Sequence, residues 1–522
     1  MRVWDDADVN DAPADVAPSD RPFAVVDLGS NSARMIVFRL REGEHLDVLE
    51  DARAPLRLAR ALREGNRLGP EAIARTLEAF HDFRAVADGA GATRIIAVAT
   101  SAVRDAEDGD DLVRAAERLG VSLQVIDGDL EARLGFMGAV HDLSVSSGVT
   151  MDVGGGSIEL SRFVERKLDG SWTLPLGSLR VSDRFLENDP PTEKELRKLR
   201  EHIGGTLSGA GVTELATGED LVGIGGTVRN LAKVDLHRSD DPLQILHGHE
   251  LSERHLAAIA EDLAERSMKR RTQASGLNPD RADSIVGGAA VVLGVMRHLG
   301  ARKLIVSSRG LREGLALDAF ERDVPPASWV RAISVATLAA RFATWDEGPA
   351  RRRSSIATRL HEALDPAAPN AVGEMLAHAA TLLDIGRAID YYDRFEHAAT
   401  IASAADLAGF SHADLGALVT ILRLGANHAR PGPYARLVDD ADRPAVERAA
   451  TTLLLADELN RRIPQGAPAP VSSNWLRDGF EVVAPVPAGW RPRAVADRFS
   501  QVFGRALIVI ASEIAVRAVP GT

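Results

Sequence analysis

The sequence predicts an α/β protein in which two duplicated α/β domains flank a cleft, followed by an all-α domain and a small C-terminal α+β region. Three observations carry this prediction. The segments DLGSNS (27–32) and DVGGGS (152–157) place Asp, Gly and Ser at the same spacing after an apolar run. Apolar runs alternate with amphipathic helical patterns as far as Pro325, as in α/β layers. Beyond that proline the pattern is almost purely helical to about Arg462, and then mixed.

Each element follows from its local pattern. From Phe23 to Leu40 the sequence predicts two strands joined by a tight turn. Further strands are predicted in TRIIAVAT, VSLQVI, SGVTMDVGGGSIELSRF, LVGIGG and KLIVSS. Helices are predicted in EAIARTLEAFHDFRAVADGAG, DLVRAAERLG, GDLEARLGFMGAVHDL, TEKELRKLREHI, ERHLAAIAEDLAERSMKRR and DSIVGGAAVVLGVMRHLG. The C-terminal stretch GFEVVAPVP…AVADRFSQVFGRALIVIA predicts mixed strand and helix.

The bulk composition limits the class of protein. A chain of 522 residues is too long for one core, which predicts three or four domains. It contains no cysteine, which excludes disulfides, thiolate metal sites and cysteine-phosphatase chemistry. The net charge of −13 repels nucleic acid, so a phosphate ligand must be held by local donors, cations or metal. No apolar run is long enough to span a bilayer, and the first residues lack the order of a signal peptide, so we expect a cytoplasmic protein.

Linker-like stretches predict the domain boundaries. ERDVPPASW marks one boundary near Pro325, and PQGAPAPVSS marks another. The predicted divisions are a disordered acidic tail (1–21), a first α/β domain (22–140), a second α/β domain (141–323), a helical domain (324–462) and a C-terminal α+β region (463–522).

The repeated turn has the chemistry of a phosphate loop. Glycine permits a ligand to approach the backbone, and N–H groups with Ser or Asn side chains form an anion nest. An Asp at the strand end would repel bare phosphate, so it fits where a divalent cation or a nucleophilic water lies between them. The duplication predicts two half-sites facing each other. Their candidate phosphate-binding residues are Gly29, Ser30, Asn31, Ser32, Gly154, Gly155, Gly156 and Ser157.

Two further turns follow predicted strands. LVGIGGTVRN supplies Gly225, Gly226 and Thr227, and VSSRGLREGLAL supplies Arg312. Each turn alone is a weak signal, because Gly and Ser are common in turns. Four such turns at strand ends of one α/β region indicate a phosphate site.

These motifs resemble those of a known family. The order VVDLGSNSAR, ATSAVRDA, GDLEARLGFMG, MDVGGGSIEL, GIGGTVRNLA, SSRGLREGLAL is similar to that of the exopolyphosphatase / guanosine pentaphosphate phosphohydrolase family. That family belongs to the sugar kinase, actin and Hsp70-like superfamily, so the resemblance implies two actin/ribonuclease H-like domains around a phosphate cleft. It covers Phe23 to about Phe320 and also implies a homodimer.

The resemblance assigns roles to particular residues. It implies that Glu131 is the catalytic base that activates water, and that Arg104 grips the terminal phosphate. It implies a Mg²⁺ site formed by Asp152 and Glu159, with the Asp27 carboxylate from the first loop. Ile158 stands where the family usually has Thr, so one donor is lost there.

Several functions share these motifs. The resemblance implies hydrolysis of inorganic polyphosphate, with guanosine pentaphosphate or tetraphosphate as alternative ligands. A regulator that binds polyphosphate or alarmone without turnover, and a sugar or acetate kinase, remain open as other classes. VIDGDLE has the Asp-x-Asp of haloacid-dehalogenase-like phosphatases, but Leu130 stands where Thr or Val is usual. No G-x-x-x-x-G-K-[ST] occurs, which excludes a P-loop.

The helical region resembles the HD-like domain of long family members. Its His-Asp pair would fall at Leu383-Asp384, so the His is absent, although His397 aligns with a family His. The histidines at 378, 412 and 428 do not fall at ligand positions, so we expect a scaffold rather than a second metal centre.

Basic runs are candidates for contact with a long substrate. The two runs contribute Lys269, Arg270, Arg271 and Arg351, Arg352, Arg353. The alternative for each run is an ordinary solvated helix end.

Overall fold

The computed structural model describes residues 21–41, 46–62, 65–426, 430–464 and 470–512. The predicted acidic tail lies outside these residues, apart from Arg21. The chain forms two compact units. The first comprises residues 1–240 and 244–330, and the second comprises 241–243 and 331–522. The division of the first unit at residue 140 stays a prediction.

The first unit begins with a five-stranded sheet, hereafter the first sheet. Its strands are β1 (Phe23–Leu28), β2 (Ser32–Leu40), β3 (Leu46–Pro55), β4 (Ile95–Ala99) and β5 (Leu123–Val125). Their order is β3-β2-β1-β4-β5, with β1 antiparallel to β2 and parallel to β4. The predicted pair of strands between Phe23 and Leu40 is confirmed, whereas β3 was not predicted.

A second sheet repeats this order. Its strands are β6 (Gly148–Val153), β7 (Ile158–Val164), β8 (Lys167–Leu174), β9 (Asp220–Ile224), β10 (Glu250–Ser252) and β11 (Lys303–Val306). Strands β8-β7-β6-β9-β11 follow one another as β3-β2-β1-β4-β5 do, and β10 adds an antiparallel edge. The duplication seen in two short turns therefore extends to whole sheets. Strands β8 and β10, like β3, carry polar residues and were missed.

Helices cover the sheets of the first unit. They are α1 (Leu58–Ala61), α2 (Gly69–Gly89), α3 (Ser101–Arg104), α4 (Gly109–Arg118), α5 (Gly128–His141), α6 (Ser178–Phe185), α7 (Glu193–Gly209), α8 (Gly225–Ser239), α9 (Glu253–Glu265), α10 (Met268–Arg271), α11 (Ile285–His298) and α12 (Leu311–Ala319), with a 3-10 turn at Pro279–Arg281. The prediction of one continuous helix in ERHLAAIAEDLAERSMKRR is wrong, because the helix is interrupted at Arg266 and Ser267. Both residues are extended there and separate α9 from α10.

Strand β1 shows why the sheets form buried layers. Its side chains alternate between two cores: Ala24, Val26 and Leu28 pack on one face, and Phe23 and Val25 on the other. A strand buried on both faces reads as a continuous apolar run, which is the pattern of FAVVDL. The polar Asp27 comes at its carboxyl end, where the sheet meets the cleft.

Helices α5 and α12 cross at close range. A Cβ on Gly138 would lie 2.0 Å from the carbonyl oxygen of Gly310, and one on Gly314 would lie 1.8 Å from that of Leu134. Only glycine permits this approach. Since α5 carries Glu131 and α12 carries Arg312, the crossing fixes these two side chains relative to each other.

The second unit is mainly helical. Its elements are α13 (Ala327–Ala340, which begins in the first unit), α14 (Glu347–Leu364), α15 (Asn370–Leu382), α16 (Arg394–Ala404), α17 (His412–Gly425), α18 (Arg443–Asn460), β12 (Ser472–Trp475), β13 (Gly479–Ala484), α19 (Arg493–Phe503) and β14 (Ala506–Ala511). Helix α19 connects the parallel strands β13 and β14 in a small three-stranded sheet. The mixed strand and helix predicted after Gly479 is confirmed.

Asp108 supports the start of α2 from a distant part of the sequence. Its carboxylate accepts hydrogen bonds from Leu68 N (2.7 Å) and Gly69 N (2.9 Å). Burial alone would raise the pKa of Asp108, but these backbone hydrogen bonds hold that pKa below its usual value. The charged form is therefore favoured in the folded protein.

We expect Asp108→Ala to lower the free energy of unfolding by about 1–2 kcal/mol at neutral pH, as for loss of a helix cap. Because the pKa is lowered on folding, this contribution is present above the unfolded pKa of about 3.9 and is lost as pH falls through the folded value. Urea unfolding at pH 7 measures the loss, and Asp82→Ala on the exposed face of α2 is the control. Equal midpoints for the two variants would contradict the capping role.

Candidate active site

The loops after β1 and β6 line one cleft in the first unit. The cleft has a volume of about 130 Å³, and both predicted half-sites contribute to it. In each loop the glycine N–H donates to the serine carbonyl, Gly29 to Ser32 (3.2 Å) and Gly154 to Ser157 (3.0 Å). The two loops therefore have the same hydrogen-bonded turn, and the prediction that they face each other across a cleft is confirmed.

Five carboxylates line this cleft. Four of them were predicted, namely Asp27, Glu131, Asp152 and Glu159, and the fifth, Glu313, accepts a hydrogen bond from the backbone N–H of Gly310 (2.7 Å). Asp27 and Asp152 stand near the ends of equivalent strands, opposite Arg34 and Glu159 in register. Glu131 comes from the first turn of α5, whose start is capped by the Asp127 carboxylate. The Ser157 hydroxyl donates to Glu159 Oε1 at 2.5 Å.

Burial raises the pKa of the four predicted carboxylates. The pKa of Glu131 rises to about 7 because burial and the charges of Asp152 and Asp27 outweigh the stabilising Arg104. Burial raises the pKa of Asp152 to about 6, with a further contribution from Asp27. Burial and then the Glu131 charge raise the pKa of Glu159 well above its usual range, and burial also raises that of Asp27. Such crowding of hard oxygen anions is the donor set that a divalent cation requires.

Arg104 contacts Glu131 but is not among the residues that line the cleft. Its Nη1 donates to the carbonyl of Ile126 (2.9 Å) and lies 3.3 Å from Glu131 Oε2. The guanidinium thus orients the Glu131 carboxylate. Its predicted grip on the terminal phosphate stays a prediction, since the cleft lining does not include this residue.

Four arginines also line the cleft: Arg34, Arg229, Arg281 and Arg312. Burial, then the charges of Arg229, Arg312 and Arg53, lower the pKa of Arg34 to about 9. Burial also lowers the pKa of Arg229 and Arg281, and neighbouring arginines add to both shifts. Buried cations that repel one another form a site preorganised for a polyanion.

Only Arg312 of these four was predicted. Arg34 and Arg229 lie inside the quoted segments SNSAR and GGTVRN, so their positions were visible although their roles were not. Arg281 lies in NPDRADS, which has no strand-and-turn signature that could have revealed it. Ser101 and Glu313 also line the cleft and were missed.

Most of the remaining predicted phosphate-binding residues line the cleft, but Gly156 and Thr227 do not. The cleft lining includes Gly29, Ser30, Asn31, Ser32, Gly154, Gly155, Ser157, Gly225 and Gly226. Gly156 is absent from this lining and lines a neighbouring cavity instead. The Thr227 hydroxyl is buried and donates to the carbonyl of Val153 (3.0 Å). Thr227 is not among the residues that line the cleft, and its role in a phosphate-contacting turn stays a prediction.

In the helical unit, Asp384 is paired with a cation of the chain itself. Its carboxylate accepts from Arg353 Nη1 at 2.8 Å, and the same Nη1 lies 3.4 Å from Asp457 Oδ1. Arg353 is 1% exposed, so its prediction as a polymer contact is wrong. The same holds for Arg271, which is 4% exposed and bonded to Asp189.

The described histidines that the sequence analysis considered in the helical unit have contacts other than Asp384. His378 lies 3.5 Å from Glu374 and against the ring of Phe410, and His397 is half-buried on α16. His412 lies 2.8 Å from Asp241, and His428 lies outside the described residues.

The fold and the cleft define a phosphoryl-handling protein of actin-like architecture, and comparison with known proteins specifies the family. The model of the Ppx/GppA phosphatase family matches residues 36–323, and that of domain III of the same phosphatases matches residues 330–490. The chain belongs to the Ppx/GppA phosphatase family.

Relatives of this chain agree with that membership. Exopolyphosphatase 1 of Mycobacterium tuberculosis is 30% identical over 320 residues, which cover 60% of this chain and 93% of the relative. Exopolyphosphatase 2 of the same organism is 32% identical over 311 residues, covering 56% and 97%. The crystal structure of the Aquifex aeolicus member of the family has a TM-score of 0.52 and 25% identity, covering 58% of this chain and 98% of that one.

Among the described residues, no helix combines the length and apolarity needed to cross a membrane.

Proposed function

We propose that the protein is an exopolyphosphatase that releases terminal orthophosphate from inorganic polyphosphate. The observation that carries this proposal is that four arginines and five carboxylates line one small cleft. The arginines match the charge of successive phosphates, and the carboxylates match a metal-assisted hydrolytic centre. The names of the relatives support polyphosphate as the substrate class.

The residues of the cleft suggest how the reaction proceeds. The arginines hold the chain with its terminal phosphoryl group near the two glycine loops, whose N–H groups and hydroxyls contact that group. Glu131 takes a proton from water as the water oxygen bonds to the terminal phosphorus. The P–O bond to the shortened chain breaks, and its electron pair stays on the leaving oxygen. Positioning and neutralisation of charge supply most of the rate, since phosphoryl transfer needs little covalent help.

The same cleft has the donors that Mg²⁺ prefers. Asp27, Asp152 and Glu159 would hold the ion through carboxylate oxygens. When bound, Mg²⁺ neutralises developing charge on the phosphoryl oxygens. Its presence would also offset the repulsion that raises the pKa of these carboxylates.

One assay tests the proposal and its alternatives. Phosphate release from long polyphosphate and from guanosine pentaphosphate is measured side by side, with and without Mg²⁺. We expect Mg²⁺-dependent release from polyphosphate. Release confined to guanosine pentaphosphate would favour the phosphohydrolase alternative. Tight binding of either compound without release would indicate a regulator.

The metal assignment makes a separate prediction. We expect Asp152→Asn to raise the Mg²⁺ concentration for half-maximal activity by about tenfold or more, because it removes an anionic oxygen ligand or its immediate neighbour. Glu117→Gln, on the exposed face of α4, is the control. An unchanged Mg²⁺ titration for Asp152→Asn would remove this carboxylate from the metal site.

A further inference from the structure

One short turn of the chain contacts segments that belong to both large sheets. It comprises residues 278–283, and it places Arg281 in the lining of the cleft. We call it the bridging turn. Its first residue is fixed to α8, because the backbone N–H of Asn278 donates to the side-chain oxygen of Asn230 (2.8 Å). Helix α11, which follows the turn, packs in the core beside the second sheet.

Two acidic residues of the bridging turn pair with arginines that follow strands of the first sheet or belong to them. Asp283 Oδ2 accepts a hydrogen bond from Arg60 Nη2 on α1. Asp280 Oδ2 lies 3.7 Å from Arg53 Nη2 on β3, which is beyond hydrogen-bond distance. The Arg60–Asp283 pair is therefore the stronger of the two connections, and the two acidic residues flank Arg281 in sequence.

Helix α1 is in turn bonded to the first glycine loop. The backbone N–H of Ala59 donates to the carbonyl of Ser30 (2.9 Å), and that of Arg57 donates to the carbonyl of Asn31 (2.8 Å). Arg60 is the next residue after Ala59. The ion pair that it forms thus connects the backbone around a phosphate loop with the bridging turn.

Arg281 is a cation that needs to be held in place. Its guanidinium packs against Gly226, where a Cβ would lie 3.0 Å from Arg281 Cζ. Burial lowers the pKa of Arg281, and the charges of Arg53 and Arg229 lower it further, whereas Asp283 acts in the opposite direction. Repulsion between like charges favours movement of a long side chain toward solvent. The backbone that carries Arg281 must therefore be fixed for the guanidinium to stay in the cleft.

We propose that Arg60 and Asp283 are positioning residues, which hold the bridging turn so that Arg281 can bind the polyphosphate chain. The inference rests on the proposed hydrolysis of polyphosphate. The ion pair acts before the substrate arrives, by restricting Arg281 to the conformation that binds phosphate. Its loss should weaken binding of the chain and leave the chemical step almost unchanged.

The test is a double-mutant cycle on Asp283 and Arg281. The affinity for long polyphosphate is measured by titration calorimetry without Mg²⁺. We expect Asp283→Asn to weaken binding about three- to fivefold, as for loss of a partly exposed ion pair. In the Arg281→Gln background the same change should alter the affinity by no more than about twofold, because no guanidinium remains to be positioned.

The sign of the effect separates positioning from charge alone. Asp283→Asn removes a negative charge, which by itself would strengthen the attraction of a polyanion. Asp111→Asn, which removes a carboxylate bonded to Arg114 on α4 (2.6 Å), is the matched control and should not weaken binding. Arg60→Gln should weaken binding as Asp283→Asn does, and Arg60→Lys, which keeps the charge, should recover most of the affinity.

The outcomes separate this inference from the proposed function. Tighter binding by Asp283→Asn, or equal weakening with and without Arg281, would overturn the positioning role. If Asp283→Asn does not fold, the two Arg60 variants complete the cycle, because the Arg60 side chain is 41% exposed. Wild-type protein that binds polyphosphate but releases no phosphate with Mg²⁺ would refute the proposed function, and the cycle would still decide the positioning role. Absence of binding would refute both.

Discussion

We expect Glu131→Gln to lower kcat by about 10²–10⁴, the usual contribution of a general base. The substitution keeps the size of the side chain and an oxygen that can accept from Arg104, so only the capacity to take a proton is lost. Since proton transfer occurs in the transition state, kcat and kcat/KM should fall together. The measurement is steady-state phosphate release from polyphosphate at saturating Mg²⁺.

The same variant has an expected effect on stability. Burial and the neighbouring carboxylates raise the pKa of Glu131 to about 7, so its charged form is disfavoured in the folded protein. Glutamine removes that charge, and the unfolding temperature without Mg²⁺ should stay unchanged or rise. Glu117→Gln, on α4 and exposed, is the matched control for loss of one carboxylate. Near-normal turnover in folded Glu131→Gln would refute the assignment of the base.

The second large effect is expected at the arginines that line the cleft. We expect Arg34→Gln to lower kcat/KM for polyphosphate by about 10²-fold, because it removes a charge-assisted contact to phosphate in a poorly solvated cleft. In the protein without ligand, loss of the Arg34 charge should stabilise the folded state. Burial and the charges of Arg229, Arg312 and Arg53 lower the pKa of Arg34 to about 9, so the charged guanidinium destabilises the folded state. Its removal should raise the Tm by about 2–4 °C, allowing for solvent screening.

A substitution that lowers kcat/KM but raises the Tm indicates that the arginine serves the ligand, whereas loss of a structural cation would lower both. Arg118→Gln, at the exposed end of α4, is the control and should change neither quantity by a comparable amount. Measurement needs only thermal unfolding without ligand and initial rates with polyphosphate. A lower Tm together with reduced activity would indicate that Arg34 holds the fold together, and would contradict its assignment to the substrate.

The polar loops of the site could be predicted because their chemistry is local. Near the end of strand β1, Asp27 is followed by a turn through Gly29 to Ser32, which has the residue types of a phosphate loop although one copy alone is a weak signal. The second copy at Asp152 predicted a facing half-site, and the structure shows the same hydrogen-bonded turn in both. The order of the motifs along the chain indicated the family. Roles for Glu131 and Glu159 came with the family resemblance, and they stay proposals.

Long charged side chains could not be placed in the same way. Arg351 and Arg353 lie two positions apart in one basic run. Arg353 is buried against Asp384, whereas Arg351 is exposed beside Glu347. Arg281 likewise enters the cleft from a 3-10 turn far from either glycine loop in sequence. Whether such a cation is solvated, structural or ligand-binding depends on which carboxylates the fold brings near it.

The sequence by itself determined the family, the duplicated phosphate loops and the alternation of strands and helices, because these depend on residue types at short, fixed spacings. Tertiary structure alone decided that Arg34, Arg229 and Arg281 line the same cleft as Arg312, and that the Thr227 hydroxyl donates to the carbonyl of Val153. It also decided that the hydroxyls of Ser30 and Ser101 are hydrogen bonded to each other at 2.8 Å. These features depend on packing between segments distant in sequence, where burial and electrostatic neighbours, rather than local propensity, set the position and charge of each group.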